Sequence, residues 1–149
     1  MSSLFATAPA SNVTLAAGHC VGVVACFIVP AVTLVSNTAG PITLTATSTV
    51  QGYGSGTLQN SSPSQPAGIG LALCYATSAG GPWTVFPSSN SSYVEVSQNV
   101  ATPASTMGYL PAGTLASGSY FFGMCGLGDT VATPTNLAVL DGQAVITEL

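Results

Sequence analysis

The segment Ile69-Gly-Leu-Ala-Leu-Cys-Tyr-Ala-Thr-Ser-Ala-Gly-Gly-Pro-Trp-Thr-Val-Phe86 decides the fold class of this chain. Its first part, Ile69–Tyr75, is a short run of apolar and small residues bounded by turn formers, which is typical of a buried strand. Ser78–Pro82 is rich in turn-forming residues, and Trp83–Phe86 has the aromatic and β-branched composition of a second strand. The segment therefore predicts a strand, a turn and a returning strand.

Similar β signals occupy much of the remaining chain. Apolar or alternating runs that predict strands are found at 21–29, 31–36, 43–50, 93–97 and 119–125. Residues 137–140 and 143–147 flank Asp141-Gly142, a pair typical of the two-residue type I′ turn, so we expect a closing hairpin there. Residues 51–68 are rich in Gly, Ser and Pro, which favours an exposed loop. No run of about ten residues combines helical periodicity with helix-forming composition.

These signals together predict an all-β chain. The number and spacing of the runs indicate a single β-sandwich of jelly-roll type with about 8–10 short strands. We interpret residues 1–12 as an N-terminal arm whose order depends on docking, and residues 13–149 as the sandwich domain.

The charge composition restricts the possible partners. The chain has no Lys or Arg, four acidic residues and 3% charged residues, whereas soluble domains average about 25%. Nucleic-acid binding depends on basic side chains that neutralise phosphates, so we expect no nucleic-acid partner. The same lack removes attraction to anionic membrane surfaces and removes every trypsin cleavage site. This composition favours a durable extracellular part, or one at a cell, spore or virion surface.

The apolar run from Cys20 to Val35 does not predict a membrane span. It is shorter than the roughly 20 residues that a spanning helix needs, and it contains Pro30. It also lacks flanking basic anchors. The first residues contain no basic region typical of a signal peptide, so the export route stays open.

The cysteines are Cys20, Cys26, Cys74 and Cys125, and all four are candidates for disulfide bonds. Two bonds can form in three pairings, and buried free thiols are the alternative. If the segment 20–26 is extended, its two cysteines lie about 20 Å apart, which no direct bond can span. They would then need partners elsewhere in the chain or in a neighbouring subunit.

The residues that usually carry catalysis are scarce. His19 is the only histidine, and no G-x-S-x-G motif accompanies it. The cysteines lack the spacing of a zinc site. The acidic residues, Glu95, Asp129, Asp141 and Glu148, are scattered along the sequence. We therefore expect no enzyme activity, no cofactor and no bound metal.

Aromatic side chains offer the clearest binding candidates. Tyr53, Trp83, Tyr93 and Tyr109 could form a platform for sugars, although such residues also pack in the cores of sandwiches. Of these, Trp83 and Tyr53 are the predicted glycan contacts.

Two functional hypotheses follow. In the first, the chain is a structural subunit that assembles with its own copies into a fibre or oligomer. Strand edges without charged residues are open to pairing, and the arm could add a strand to a neighbour that Cys20 and Cys26 then lock covalently. In the second, the chain is a glycan- or receptor-binding head carried on a surface or phage fibre.

A resemblance to known proteins adds to this interpretation. The stretch Leu110-Pro-Ala-Gly-Thr-Leu-Ala-Ser-Gly-Ser-Tyr-Phe-Phe-Gly-Met-Cys-Gly126, followed by the segment Gly142–Leu149, resembles the end of jelly-roll heads on bacterial and phage surface fibres. The low charge and the abundance of Ser, Thr and Val are similar to those of spore-surface jelly rolls, including appendage subunits joined by an N-terminal cysteine-bearing arm. The resemblance implies a jelly-roll fold and a role in assembly or display, and it assigns no functional residue.

Overall fold

The strands of this chain form two β-sheets that pack face to face. The computed structural model describes residues 2–8, 11–15, 32–36, 41–60, 67–86, 92–96, 99–128 and 135–149. The strands in this part of the chain are β1 Ser2–Ala8, β2 Ser11–Leu15, β3 Val32–Ser36, β4 Ile42–Leu44, β5 Val50–Asn60, β6 Ala67–Ala76, β7 Thr84–Val85, β8 Ser92–Val96, β9 Thr102–Leu110, β10 Gly118–Gly128 and β11 Thr135–Glu148. These ranges contain no helix long and apolar enough to cross a membrane.

All strand pairs between the described residues are antiparallel. In sheet A, β1 and β2 both pair with β11, which pairs with β5, which pairs with β9. In sheet B, β3 and β4 both pair with β10, which pairs with β6, which pairs with β7 and β8. The prediction of an all-β sandwich is confirmed by these two sheets.

The jelly-roll type stays a prediction that the strand order supports. We count β1 with β2, β3 with β4, and β7 with β8 as one interrupted strand each, which gives eight strands in the part of the chain that the structure describes. The first then pairs with the last, the second with the seventh, the third with the sixth, and the fourth with the fifth. Such nested pairing describes one long antiparallel ribbon folded over into two sheets, as in an eight-stranded jelly roll.

The two inner faces meet in an apolar core. Its main cluster of buried side chains comprises Ile42, Leu44, Val50, Leu73, Phe86, Leu110, Tyr120, Phe122 and Ile146. The rings of Phe86 and Phe122 meet edge to face with centroids 6.0 Å apart, a favoured aromatic geometry. Each large side chain removed from water in this way contributes about 1.5–3 kcal/mol. Residues from both sheets therefore hold the sandwich together.

Three alternate glycines of β5 allow close packing: Gly52 and Gly54 pack against sheet B, and Gly56 packs against the backbone of β11 in its own sheet. A Cβ atom on Gly52 would lie 2.5 Å from Ile146 Cδ1, and one on Gly54 would lie 2.9 Å from Met124 Sδ. A Cβ atom on Gly56 would lie 2.6 Å from the backbone oxygen of Asp141. The prediction of an exposed loop over 51–68 is wrong for residues 51–60, because their glycines serve close packing inside a central strand.

The predicted hairpin at Asp141-Gly142 is also wrong. Both residues lie inside β11, where Gly142 pairs with Ala8 on one side and Gly56 on the other. The register to β5 shifts between Val139 and Asp141, so the strand contains a bulge there. Pairing along both edges of β11 outweighs the local turn preference of the dipeptide.

The remaining strand predictions have mixed outcomes. The strand, turn and returning strand predicted over 69–86 are confirmed, since Cys74 of β6 pairs with Val85 of β7. The alternating run 43–50 is not one strand, because a turn lies between β4 and β5. The turn is closed by the amide of Ser48, which donates to the carbonyl of Thr45 at 3.1 Å.

The strand predicted over residues 21–29 lies outside the described residues. Residues 2–8 of the predicted arm pair with β11, and the division at residue 12 stays a prediction.

Candidate functional site

The outer face of sheet A carries a row of exposed apolar side chains. We call Tyr53, Met107, Tyr109 and Val145 the apolar belt, and their exposed fractions are 43%, 59%, 45% and 36%. Tyr53 on the central strand β5 lies opposite Met107 of β9 and opposite Val145 of β11. The belt thus crosses three neighbouring strands.

Strand alternation explains why these side chains point outward. Successive residues of a strand face opposite sides of the sheet. Thr106 and Leu110 of β9 are buried, which places Met107 and Tyr109 on the outer face. On β11 the buried Ile146 places its neighbour Val145 outside in the same way. Gly52 and Gly54 of β5 face sheet B, so Tyr53 between them points outward.

Polar side chains border the belt on both sides. Gln51 and Thr147 adjoin one side of it, and with the belt they line a shallow depression of about 460 Å³. On the other side, Gln143 Nε2 donates a hydrogen bond of 3.1 Å to Ser55 Oγ across the β5–β11 pair. A second depression of about 540 Å³ begins at Tyr53 and extends past Ser55. The surface therefore offers aromatic faces next to hydroxyl and amide groups.

The two predicted glycan contacts lie in different places. Tyr53 belongs to the apolar belt of sheet A, whereas Trp83 directly precedes β7 of sheet B. Trp83 is half-buried, and a Cβ atom on Gly81 would lie 2.8 Å from its ring atom Cδ1. Trp83 lines neither depression on sheet A. The structure does not bring these two side chains together, and a glycan role for either stays a prediction.

Only some residues of the apolar belt can be predicted from the sequence. Tyr109, one of the four candidate aromatics, lies in the belt beside Tyr53. Met107 and Val145 were not predicted as site residues. Their alternation with buried neighbours along β9 and β11 is the signal that could have identified them. The side chain of Tyr93 lies outside the described residues.

Two of the four cysteines are joined. Cys74 on β6 and Cys125 on β10 form a disulfide with their Cα atoms 6.0 Å apart. Cys74 lies opposite Gly123, so the bonded cysteines are diagonal neighbours on adjacent strands. Both are fully buried. Cys20 and Cys26 lie outside the described residues, so their pairing stays open.

The acidic side chains of the described residues lie apart from the apolar belt or at its margin. Glu95 is exposed on β8, and Glu148 accepts a hydrogen bond of 2.5 Å from Ser48 Oγ. Asp141 accepts a hydrogen bond of 3.2 Å from Thr57 Oγ1 and lines the second depression. In the described ranges no three His, Cys, Asp or Glu side chains come together as metal ligands would. His19 and Asp129 lie outside those ranges.

Comparisons with known proteins give matches in structure alone. No family model matches the sequence, and no curated protein matches it either. A solved structure of infectious bursal disease virus, Gt strain, matches over 97% of this chain and 32% of the viral chain, with 12% identity and a TM-score of 0.54. Particles derived from a mutant VP2 protein of the same virus match over 97% of this chain and 31% of that chain, with 10% identity and a TM-score of 0.54. The chain thus spans about a third of the length of these viral chains, and the likeness shows a shared β-sandwich fold.

Proposed function

We propose that this chain is a non-enzymatic structural subunit that assembles with its own copies at an extracellular, cell, spore or virion surface. The observation that carries the proposal is the outer strand β1, Ser2–Ala8, which pairs with β11 over seven uncharged residues. Strand exchange between copies through β1 would link subunits into a fibre or a closed oligomer.

The edge strands of both sheets lack the Lys side chains that often protect an edge against strand pairing. Lys side chains commonly block an edge strand from adding to another sheet, and this chain has none. Among the edge strands of the described residues, Glu95 on β8 is the sole charged side chain. Uncharged edges of this kind favour pairing with another copy.

The register of β1 suits an exchange. Ser2 lies opposite Glu148 and Ala8 opposite Gly142, and β2 continues the same register with Ser11 opposite Val139. A copy that takes up β1 from a neighbour would form the same backbone pairs that β1 forms with its own β11. Because the pairing energy is then equal in both arrangements, the exchange costs little beyond the entropy of association.

The comparisons and the resemblance point in the same direction. One of the proteins that share the fold is a viral VP2 protein from which particles are derived. A β-sandwich of this type is therefore compatible with assembly. Fibre heads and spore appendages, which the sequence resembles, also assemble from such domains. A covalent lock through Cys20 and Cys26 is part of the proposal and concerns residues outside the described ranges.

Cysteines placed at paired positions test the exchange directly. Thr7 and Gln143 are Cα partners on β1 and β11, so the double variant Thr7→Cys/Gln143→Cys should oxidise across that pair. If β1 is exchanged, non-reducing gels will show dimers and larger species that a reductant converts to monomer. The matched control is Ser55→Cys/Ser105→Cys, whose positions pair between β5 and β9 and should give a bond within one chain.

The unmodified chain, run beside both variants, shows any cross-links that the native cysteines form. Monomeric bands from Thr7→Cys/Gln143→Cys at every protein concentration, with no assemblies by negative-stain microscopy, would contradict the proposal. Larger species from the β1–β11 pair and monomer from the β5–β9 pair would support it.

A further inference from the structure

The two tyrosines of the apolar belt lie side by side on neighbouring strands. Tyr109 is the Cα partner of Gln51, two residues before Tyr53, so the two tyrosines are diagonal neighbours on one face. Diagonal positions in an antiparallel pair are about 7–8 Å apart, within reach of aromatic side chains. Both rings are close to half exposed, at 43% and 45%. This arrangement provides two adjacent aromatic faces to a ligand.

The groups around these rings match the chemistry of a sugar. A pyranose has a C–H face that packs against an aromatic ring and hydroxyl groups that need hydrogen-bonding partners. Gln51 adjoins the rings, and its amide can both donate and accept hydrogen bonds. Ligand sites generally combine an apolar lining with a few polar groups of this kind.

Charge narrows the class of sugar. None of the residues that line the first depression is charged. The chain contains no Lys or Arg to bind sulfate, sialic acid or uronic acid groups. Asp141 in the adjoining depression would also repel anionic groups. The surface therefore suits a neutral oligosaccharide.

Size favours a small ligand over a second protein. The depression of about 460 Å³ falls within the range of roughly 300–1,000 Å³ for small-molecule sites. The four belt side chains expose on the order of 350 Å². A stable protein interface buries about 800 Å² on each partner, so the belt alone is too small for one.

From these observations we infer that the apolar belt is a binding site for neutral oligosaccharides, which stack on Tyr53 and Tyr109 and hydrogen-bond to Gln51. The two tyrosines lie on β5 and β9, and β11 separates both strands from β1, through which assembly is proposed, while Val145 of the belt is the Cα partner of Phe5 on β1. Sugar binding is therefore a second activity that does not depend on assembly.

The test begins with the full-length chain on a glycan array that carries neutral, sialylated and sulfated oligosaccharides. Neutral glycans should bind, and calorimetry with the best of them should show that Tyr53→Ala and Tyr109→Ala each weaken binding about tenfold. Tyr53→Phe, which keeps the ring, should retain binding. Val100→Ala is the matched control, because Val100 is 55% exposed and lies outside both depressions.

Circular dichroism of each variant verifies that the fold is intact. The inference is overturned if no neutral glycan binds, if anionic glycans bind instead, or if folded Tyr53→Ala and Tyr109→Ala bind as well as the parent. It is also overturned if Tyr53→Ala changes the oligomeric state while no glycan binds, since the belt is then a contact between copies. Failure of strand exchange in the cross-linking experiment leaves this test unaffected.

Discussion

The Cys74–Cys125 disulfide connects the two central strands of sheet B across 51 residues of sequence. Replacing both cysteines by alanine removes the cross-link without burying a new polar group. Alanine is preferable to serine here because both positions are fully buried, where an unpaired hydroxyl costs about 1–3 kcal/mol. The variant therefore measures the effect of the cross-link with the least added perturbation.

The size of the effect follows from the loop that the bond closes. In the chain-entropy model, a loop of 51 residues lowers the entropy of the unfolded chain by about 14 cal/mol/K, or about 4 kcal/mol at 25 °C. Since domains are stabilised by about 5–15 kcal/mol in total, this is a large share. For a chain of this length it corresponds to a fall of about 8–16 °C in Tm.

Urea denaturation and thermal unfolding of Cys74→Ala/Cys125→Ala beside the parent chain measure this loss. The denaturant slope should also rise, because the unfolded chain without the cross-link exposes more surface. Adding reductant to the double variant isolates any effect of the other cysteines. A loss below about 1 kcal/mol with an unchanged slope would show that this bond does not constrain the unfolded chain, and the reasoning would fail.

Two further predictions concern packing and the hydrogen bond of a tyrosine hydroxyl. Gly56→Ala should destabilise the fold by about 1–3 kcal/mol in urea denaturation, because its Cβ would lie 2.6 Å from the backbone oxygen of Asp141. Gly80→Ala, where a Cβ meets no atom within 4 Å, should stay within about 0.5 kcal/mol, and equal losses in both variants would contradict the packing argument. Tyr120→Phe removes the hydroxyl that donates to the Ala116 carbonyl at 2.9 Å, so it should cost about 0.5–1.5 kcal/mol by the same assay. An unchanged urea midpoint for Tyr120→Phe would show that this bond does not contribute to stability.

Sequence reasoning succeeded where local pattern and tertiary pairing agree. The segment 69–86 contains its own turn and both of its strands, so its hairpin could be predicted from local residues alone. The strands at 93–97 and 119–125 were also located, because each is an apolar or alternating run close to turn formers.

The errors arose where partners distant in sequence decide the structure. Gly52, Gly54 and Gly56 have the composition of a loop, yet their spacing of two residues is that of one strand face, on which the first two pack against the other sheet and the third against the backbone of β11. Asp141-Gly142 is a strong turn signal in isolation, but pairing with β1 and β5 keeps it extended. Neither set of contacts can be read from the neighbouring residues.

The residue types of the candidate site could be predicted from the sequence, but their arrangement could not, because it depends on contacts between residues distant in sequence. Tyr53 and Tyr109 could be identified as candidate aromatics from their residue type. Their proximity depends on the register between β5 and β9, which no local signal specifies. The sequence predicts Trp83 as a glycan contact on the same grounds as Tyr53, and only the strand topology shows that Trp83 lies beside the other sheet.

The glycines of β5 divide that strand into two sets of positions with different tolerance to mutation. Positions 52 and 54 touch the opposite sheet, and position 56 touches the backbone of β11, so closely that no larger residue fits without rearrangement. The intervening positions 53, 55 and 57 point outward, where new side chains meet no part of the core. A library that varies only these outward positions, together with 105 and 107 on β9, would diversify the surface of the sandwich while leaving its interior unchanged.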